Sequence, residues 1–176
     1  MTIIRTKRLT LRPLLASDAK AIAGLAGDWD VASMTSRIPF PYDDSLAAEW
    51  IDGQSAGDFV RGIELNGQLI GAAGYFPNTD GAIEIGYWIG KPWWGHGFAT
   101  EAARALIHYC FTNAGLSKLS CCHFIDNHGS RRVIQKLGFK RIGACSAYCD
   151  ARRSEVATVR YELRRPALAY FWRRAA

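Results

Sequence analysis

Ile85-Gly-Tyr-Trp-Ile-Gly-Lys-Pro-Trp-Trp-Gly-His-Gly-Phe-Ala-Thr-Glu-Ala102 is the stretch that decides how this chain folds. An apolar, strand-like run ends in a Gly-rich turn, and an Ala-rich helix begins at once. Gly95 and Gly97 let the backbone approach a ligand and adopt torsions that side chains forbid. The helix that follows presents unpaired N–H groups and a partial positive charge to whatever occupies the turn. That combination is an anion cradle, and phosphate or pyrophosphate is its usual occupant.

Two phosphate motifs are excluded. A Walker loop needs Gly-Lys followed by Ser or Thr at the helix start, and His96-Gly97-Phe98-Ala99 does not supply it. A dinucleotide fingerprint needs a third Gly where Thr100 stands and an acid about 20 residues beyond. The stretch from Gly115 to Lys118 carries none. What remains is the pattern Arg/Gln-x-x-Gly-x-Gly/Ala, matched by Trp94-Gly-His-Gly-Phe-Ala99 with Trp in the first place. This resembles the acetyl-CoA pyrophosphate loop of the GNAT superfamily of N-acetyltransferases, in the form found in its RimJ/RimL-like, ribosomal-protein-type branch.

The resemblance covers nearly the whole chain. Thr6-Lys-Arg-Leu-Thr-Leu-Arg-Pro-Leu14 is similar to the branch's opening strand, and Pro39-Phe-Pro-Tyr42 to its first helical loop. Glu84-Ile-Gly-Tyr-Trp88 is similar to its fourth strand. Asn127-His-Gly-Ser130 and Lys136-Leu-Gly-Phe139 resemble the segments around its last helix. Five such pieces in the right order are far more specific than any one of them.

Composition sets independent bounds. With 176 residues, 49% hydrophobic and 22% charged, residues 1–176 read as one globular domain with enough apolar material for a core. No run approaches the roughly 20 apolar residues of a membrane span. Arg5, Lys7 and Arg8 near the start alternate without an apolar segment or cleavage site, so no signal peptide is expected. The five cysteines (Cys110, Cys121, Cys122, Cys145, Cys149) lack paired spacing. In Cys121-Cys122-His123, adjacent strand residues point to opposite faces and do not easily share an ion, so no metal is expected. Reduced thiols in a cytoplasmic protein are the reading. The formal net charge is +6, much of it at Arg131, Arg132, Lys136, Lys140 and Arg141, and at Arg164, Arg165, Arg173 and Arg174. Solvated helix faces explain most of this. Arg131, Arg132 or Lys136 is also placed to meet the anionic end of CoA. The aromatics are not interleaved with the basic residues as stacking platforms, so direct nucleic-acid binding is disfavoured.

The coarse reading is a strand over residues 3–14 and a helix from Ser17, as N-cap, to Ala26. An irregular stretch follows over 27–42, then a short helix over 45–52. Strands over 59–65 and 68–75 are joined by Asn66-Gly67, a strong hairpin signal. Asn78-Thr-Asp-Gly81 turns into a strand over 82–89. A helix from Ala99 to about Asn113 stacks Ala99, Ala102, Ala103, Leu106 and Cys110 on one face and ends at Gly115. A strand over 118–124, a helix over 130–137 ended by Gly138, and paired strands over 140–148 and 157–163 complete the chain. Hairpins followed by a strand–helix–strand crossover indicate an α/β (α+β mixed) fold. The resemblance makes it the GNAT fold: a central, mostly antiparallel twisted sheet of about seven strands flanked by about four helices.

Acetyl transfer to an amine needs a neutral amine, a polarised thioester carbonyl and a proton for the departing thiolate. Glu84 begins the strand leading to the phosphate loop, where the family commonly places its catalytic carboxylate. It shares a face with Gly86 and Trp88. The resemblance further implies that this strand splays from its neighbour and that free backbone groups of Trp88, Ile89 and Gly90 bind pantetheine and the oxyanion. It implies that Gly95, His96, Gly97, Phe98, Ala99 and Thr100 bind the pyrophosphate. Many relatives carry a Tyr acid in the last helix, but alignment on Leu137-Gly-Phe139 puts Ile134 there. Ser130 is then the candidate acid, as the RimL-like branch suggests, although a Ser before a helix also serves as an N-cap. Asn127 is expected to clamp pantetheine. His96 would meet the cofactor rather than the amine, and His123 reads as a core strand residue. Phe40, Tyr42 and Trp93, with Trp29 and Trp94, are expected to wall the acceptor channel.

The favoured function is an acetyl-CoA-dependent N-acetyltransferase acting as monomer or homodimer. Its acceptor would be a small-molecule amine or a protein N-terminus, a ribosomal protein being one option. A catalytically silent CoA-binding sensor, or a basic ribosome- or RNA-associated protein on the same scaffold, are the alternatives. Fold and cofactor loop do not identify the acceptor.

Overall fold

Thr6 breaks the opening strand. In a computed structural model, which describes residues 2–78 and 82–166, its amide donates to the Leu9 carbonyl at 2.9 Å, and its hydroxyl accepts from the Leu9 amide at 2.9 Å. The expected single strand is therefore a hairpin of β1 (Ile4–Arg5) and β2 (Leu9–Arg12). Ser17 is not an N-cap. A 3-10 turn over Ala16–Asp18 leads into α1 (Ala19–Ala26), and the Asp18 carboxylate accepts from the Leu15 amide at 2.8 Å while pairing with Arg12 at 2.7 Å. The stretch read as irregular contains α2 (Trp29–Ala32), capped by Asp28, whose side chain accepts from the Asp30 amide at 2.8 Å. Asp43 caps α3 (Asp44–Asp52) in the same manner through the Leu46 amide.

The hairpin between β3 (Phe59–Leu65) and β4 (Gln68–Pro77) turns at Asn66 (φ 50°) and Gly67 (φ 84°), as the Asn-Gly pair predicts. β5 (Ile83–Ile89) follows, and residues 79–81 of the expected turn before it lie outside the described residues, as do Arg173 and Arg174. Then come α4 (Phe98–Thr112), β6 (Lys118–Phe124), α5 (His128–Lys136), β7 (Lys140–Cys149) and β8 (Ser154–Arg164). Among the described residues, eight strands form one sheet in the order β1-β2-β3-β4-β5-β6-β8-β7. All neighbours are antiparallel except β5 and β6, which α4 joins as a crossover. The eighth strand and fifth α-helix beyond the expectation come from Thr6 and Asp28.

Two apolar layers hold this sheet. On one face, α4 buries Phe98, Ala102, Ala103, Leu106, Ile107, Cys110 and Phe111 against β2 to β5. On the other, α1 and α3 enclose Ile22, Ala26, Ala47 and Leu69, with Trp88 packed against them. Leu106 has no exposed surface; truncating such a residue to Ala costs about 2–5 kcal/mol. The sheet thus separates a helical layer that carries the phosphate loop from a second layer built of short helices and loops.

Candidate active site

Gly95 and Gly97 have φ of +82° and +81°, the left-handed region that glycine tolerates. Gly97 stands at the N-cap of α4, so the amides of the first turn lie free beyond it. A Cβ placed on Gly95 would meet nothing within 4 Å, so the glycine serves the torsion and leaves room above the turn. Gly95, Gly97, Phe98, Ala99 and Thr100 line one end of a long cleft of about 1300 Å³. His96 does not line it. Its ring stacks on Phe98 with centroids 5.6 Å apart.

A residue outside the expected set holds this loop. Arg8, in the turn between β1 and β2, donates from Nη1 to the His96 carbonyl (3.1 Å) and from Nε to Glu101 Oε2 (2.7 Å). Its guanidinium also lies 4.5 Å from the centre of the Phe98 ring. The Arg8 amide and the Thr6 hydroxyl both donate to Glu101 Oε1, at 2.9 and 2.6 Å. Burial pushes the Glu101 carboxyl up, but these bonds from Thr6 and Arg8 outweigh it and hold the carboxyl below its usual range. The sequence signal was present in Thr6-Lys-Arg8, read there only as part of a strand.

β5 and β6 part as soon as they meet. Their only backbone register is Glu84 opposite Ser120, although each strand runs seven residues. Beyond it the β6-facing edge of β5 is open. The Gly90 amide donates to the Ile70 carbonyl of β4 at 2.8 Å, so by alternation Gly90 and Trp88 turn their backbone groups to β4. Tyr87 and Ile89 turn theirs into the splay. Of the expected backbone set, Ile89 faces the splay, as does Tyr87, whereas Trp88 and Gly90 face β4 and the Trp88 side chain packs on the other face. Gly90 makes no bulge, because the β4–β5 register is unbroken. A Cβ there would lie 2.7 Å from Leu25 and 3.2 Å from the Trp93 ring, so this glycine answers to packing. Trp94, in the place where the resemblance expects Arg or Gln, donates its indole N–H to the Ile89 carbonyl at 2.6 Å. The Ile89 amide remains the free donor.

Glu84 lines the cleft at the start of the splay. Oε2 accepts from Asn78 Nδ2 at 3.0 Å and Oε1 from the Cys122 thiol at 3.3 Å. Burial first, and Glu84 second, push the Cys122 thiol up to about 12, so it remains a donor to the carboxylate. Cys121 faces the opposite core, as strand alternation predicts. His123 is buried, with Nδ1 on the Phe124 carbonyl (2.7 Å) and Nε2 on the Tyr161 hydroxyl (3.1 Å). Both nitrogens are engaged in the core.

Ser130 does not cap α5. Asn127 does: its Oδ1 accepts from the Ser130 amide at 2.9 Å, and its Nδ2 donates to the Met34 carbonyl at 3.3 Å. The Asn127 amide is therefore committed within the chain at both ends, with one N–H left over. The Ser130 hydroxyl, freed from capping, lines the cleft and lies 3.0 Å from the Tyr87 hydroxyl. Ile134 is buried and offers no donor. Arg132 and Lys136 lie one turn apart on α5 and line the cleft, whereas Arg131 does not.

The other end of the cleft is walled from the α1–α3 layer. Tyr42, Met34, Trp50 and Phe76 line it, with the Arg37 guanidinium 4.4 Å above the Phe76 ring. Burial, with Asp43 nearby, pushes the Tyr42 phenol up to about 12. Trp93 lines the cleft beside the phosphate loop. Phe40 does not line it: its ring meets Trp29 edge-on at 5.1 Å, on the outside of the loop.

A glycine cradle on a helix N-terminus, a splayed strand pair and a carboxylate facing the splay define an acyl-transfer cleft built to hold a phosphorylated thioester. The family model described as Acetyltransferase (GNAT) domain matches residues 8–140. The N-acetyltransferase p20 of Bacillus licheniformis, itself uncharacterized, is 31% identical over 162 residues, spanning 86% of this chain and 90% of its own. The RimL ribosomal L7/L12 alpha-N-protein acetyltransferase, solved with coenzyme A, superposes with a TM-score of 0.81 at 16% identity, covering 93% of this chain and 98% of that one. RimJ of Mycobacterium smegmatis, solved in complex with CoA-disulfide, gives 0.79 at 20% identity over 93% and 86%. The chain belongs to the GNAT acetyltransferases, and its activity is acetyl transfer from acetyl-CoA to an amine.

Proposed function

We propose that this enzyme acetylates the terminal amine of a peptide or protein, or a small primary amine, by direct attack on acetyl-CoA, with Glu84 as general base and Ser130 as the proton donor to sulfur. The observation that carries this reading is the position of Glu84. It stands where β5 and β6 part, between the acceptor-side cavity and the open backbone edge of β5. Two hydrogen bonds aim its carboxylate, which is the arrangement a base needs to take a proton directly or through one water. The Ile89 amide and the Tyr87 backbone edge are the donors for the thioester carbonyl and pantetheine. Gly95, Gly97 and the first turn of α4 take the pyrophosphate, with Arg132 and Lys136 facing the remaining phosphate charge. Tyr42 and Trp93 contact the acceptor or its approach, and the remaining Asn127 N–H serves pantetheine.

A cleft of about 1300 Å³ leaves room for an acceptor beside the cofactor, which supports a peptide terminus as well as a small amine. RimL's own description as an L7/L12 alpha-N-protein acetyltransferase is consistent with this. One sheet running from Ile4 to Arg164 supports a single domain. Five free cysteines support a reducing, cytoplasmic setting. Among the described residues, no helix is long and apolar enough to cross a membrane. The test is a panel of N-terminal peptides and small primary amines, read as release of free CoA. Acetyl-CoA-dependent turnover of peptides or of small primary amines is expected. No CoA release above background with any amine of the panel would overturn the proposal.

A further inference from the structure

Tyr87 has no part in the scheme above beyond its backbone, yet its hydroxyl lies 3.0 Å from Ser130 Oγ, across the space between β5 and α5. The two residues are 43 positions apart in sequence and meet only where the sheet has opened. Both line the cleft. The hydrogen bond is also chemically informative. An aliphatic hydroxyl is about as weak an acid as water, whose pKa is about 15.7. The thiolate it would have to protonate belongs to a thiol of about 8.5, and a phenol ordinarily titrates near 10. Serine alone would be left as an alkoxide, several units too basic for its task. Backed by a phenol, it passes the negative charge to a more acidic oxygen, although burial makes this phenol a weaker acid than a free one.

We propose that Tyr87 supplies, through Ser130, the proton that reaches the departing thiolate. As the C–S bond of the tetrahedral adduct breaks, its electron pair goes to sulfur. Ser130 Oγ gives its proton to that sulfur and takes the phenolic proton of Tyr87 in the same event. The Tyr87 phenolate is then reprotonated by water. The protons shed as the amine becomes an amide balance this, so no further reactant is needed. Burial pushes the Tyr87 phenol well above its usual range, against the Ser130 hydrogen bond, which lowers it. It therefore rests protonated, as a donor must. The other titratable groups felt by Tyr87 are the β6 thiols Cys121 and Cys122, both raised by burial and so uncharged near neutrality. Ile134, where the family resemblance expects a tyrosine, is silent; the phenol arrives instead from the neighbouring strand.

The relay rests on the placement of Ser130 at the sulfur, and a measurement without acceptor separates the two. The probe is CoA in binary complex with the enzyme, its thiol titrated by thiolate absorbance. A hydroxyl chain donating to sulfur stabilises the thiolate, so the bound thiol should titrate below the free thiol. Ser130→Ala should move it up, and Tyr87→Phe should move it up by a smaller but clear step. The double variant should titrate like Ser130→Ala alone, because the phenol acts only through the serine. 3-Fluorotyrosine at position 87, which keeps the shape and makes the phenol more acidic, should move the thiol down. If Ser130→Ala shifts the thiol while Tyr87→Phe and fluorotyrosine leave it at the wild-type value, the relay is wrong and the serine contact stands. If none of the changes moves it, Ser130 is not at the sulfur, and both assignments fall.

Discussion

The two ends of the cleft are made differently. In the proposed scheme, the groups at the phosphate end are mostly backbone: two glycines at positive φ, the amides of one helix turn and the free edge of β5, with Arg132 and Lys136 beside them. At the acceptor end they are side chains, such as Tyr42, Met34 and Arg37, set on connections between short helices. Backbone donors at a helix start serve any pyrophosphate, whatever the acceptor, so that end can stay constant while the other changes. Side chains on connections can be exchanged without disturbing the sheet. In that scheme one end defines the donor and the other selects the acceptor.

The largest expected effect breaks the first end. Gly97→Val forces a β-branched residue to φ near +81°, and the turn must refold to relieve it. Acetyl-CoA should raise the melting temperature of the wild type and leave that of Gly97→Val unchanged, since a ligand stabilises only the state it binds. Equal thermal shifts would show that the glycine turn is not the anchor.

Glu84→Gln acts where the two ends meet. Turnover should fall by roughly 100-fold while acetyl-CoA affinity holds, the usual scale for loss of a general base. The deficit should narrow at high pH, where more of the amine is already neutral. Wild-type turnover at neutral pH with a high-pKa amine would make Glu84 structural.

Arg8→Met keeps an apolar chain over Phe98 but removes the donors to His96 and Glu101. KM for acetyl-CoA should rise about tenfold, the equivalent of one charge-assisted hydrogen bond, with kcat little changed. The same clamp predicts an acid limb. The folded Glu101 carboxyl lies below its unfolded value, so its contribution is full above the unfolded pKa and is lost as pH falls through the folded one. Melting temperature should therefore drop on acidification below about pH 4.5 more steeply in the wild type than in Glu101→Gln. Parallel curves would leave the clamp without energetic weight.

The smallest effect sharpens the acceptor end. Phe40→Ala should leave acceptor KM within about twofold, as expected for a residue that lines no part of the cleft. Tyr42→Ala should raise it without changing acetyl-CoA affinity. A large effect at Phe40 would mean that the loop bearing Trp29 and Phe40 closes over the acceptor.

Local features were legible in the sequence because their physics is local. Gly95 and Gly97, Asn66-Gly67, and the helix face of Ala102, Ala103, Leu106 and Cys110 all behave as their spacing implies. Caps were read less well. Ser17 and Ser130 each stand near a helix start, but Asn127 takes the Ser130 amide, and Asp18 takes the Leu15 amide ahead of the 3-10 turn without capping α1 by its side chain. Ser, Asp and Asn all satisfy the same donors, and sequence spacing alone does not rank neighbours. The opening strand was misread because alternation continues through Lys7 and Arg8, while the turn is fixed by Thr6 bonding to Leu9 and to Glu101.

The sequence by itself determined the donor: a glycine turn between a strand and a helix carries its torsions and its free amides within a dozen residues. Only the tertiary structure decided which groups complete the site. Arg8 reaches Glu101 across 93 positions, Cys122 reaches Glu84 across 38, and Tyr87 meets Ser130 across 43. The parting of β5 from β6 also decided which backbone groups are free. Such contacts depend on how strands are ordered in the sheet and where two of them separate, and no local propensity records either.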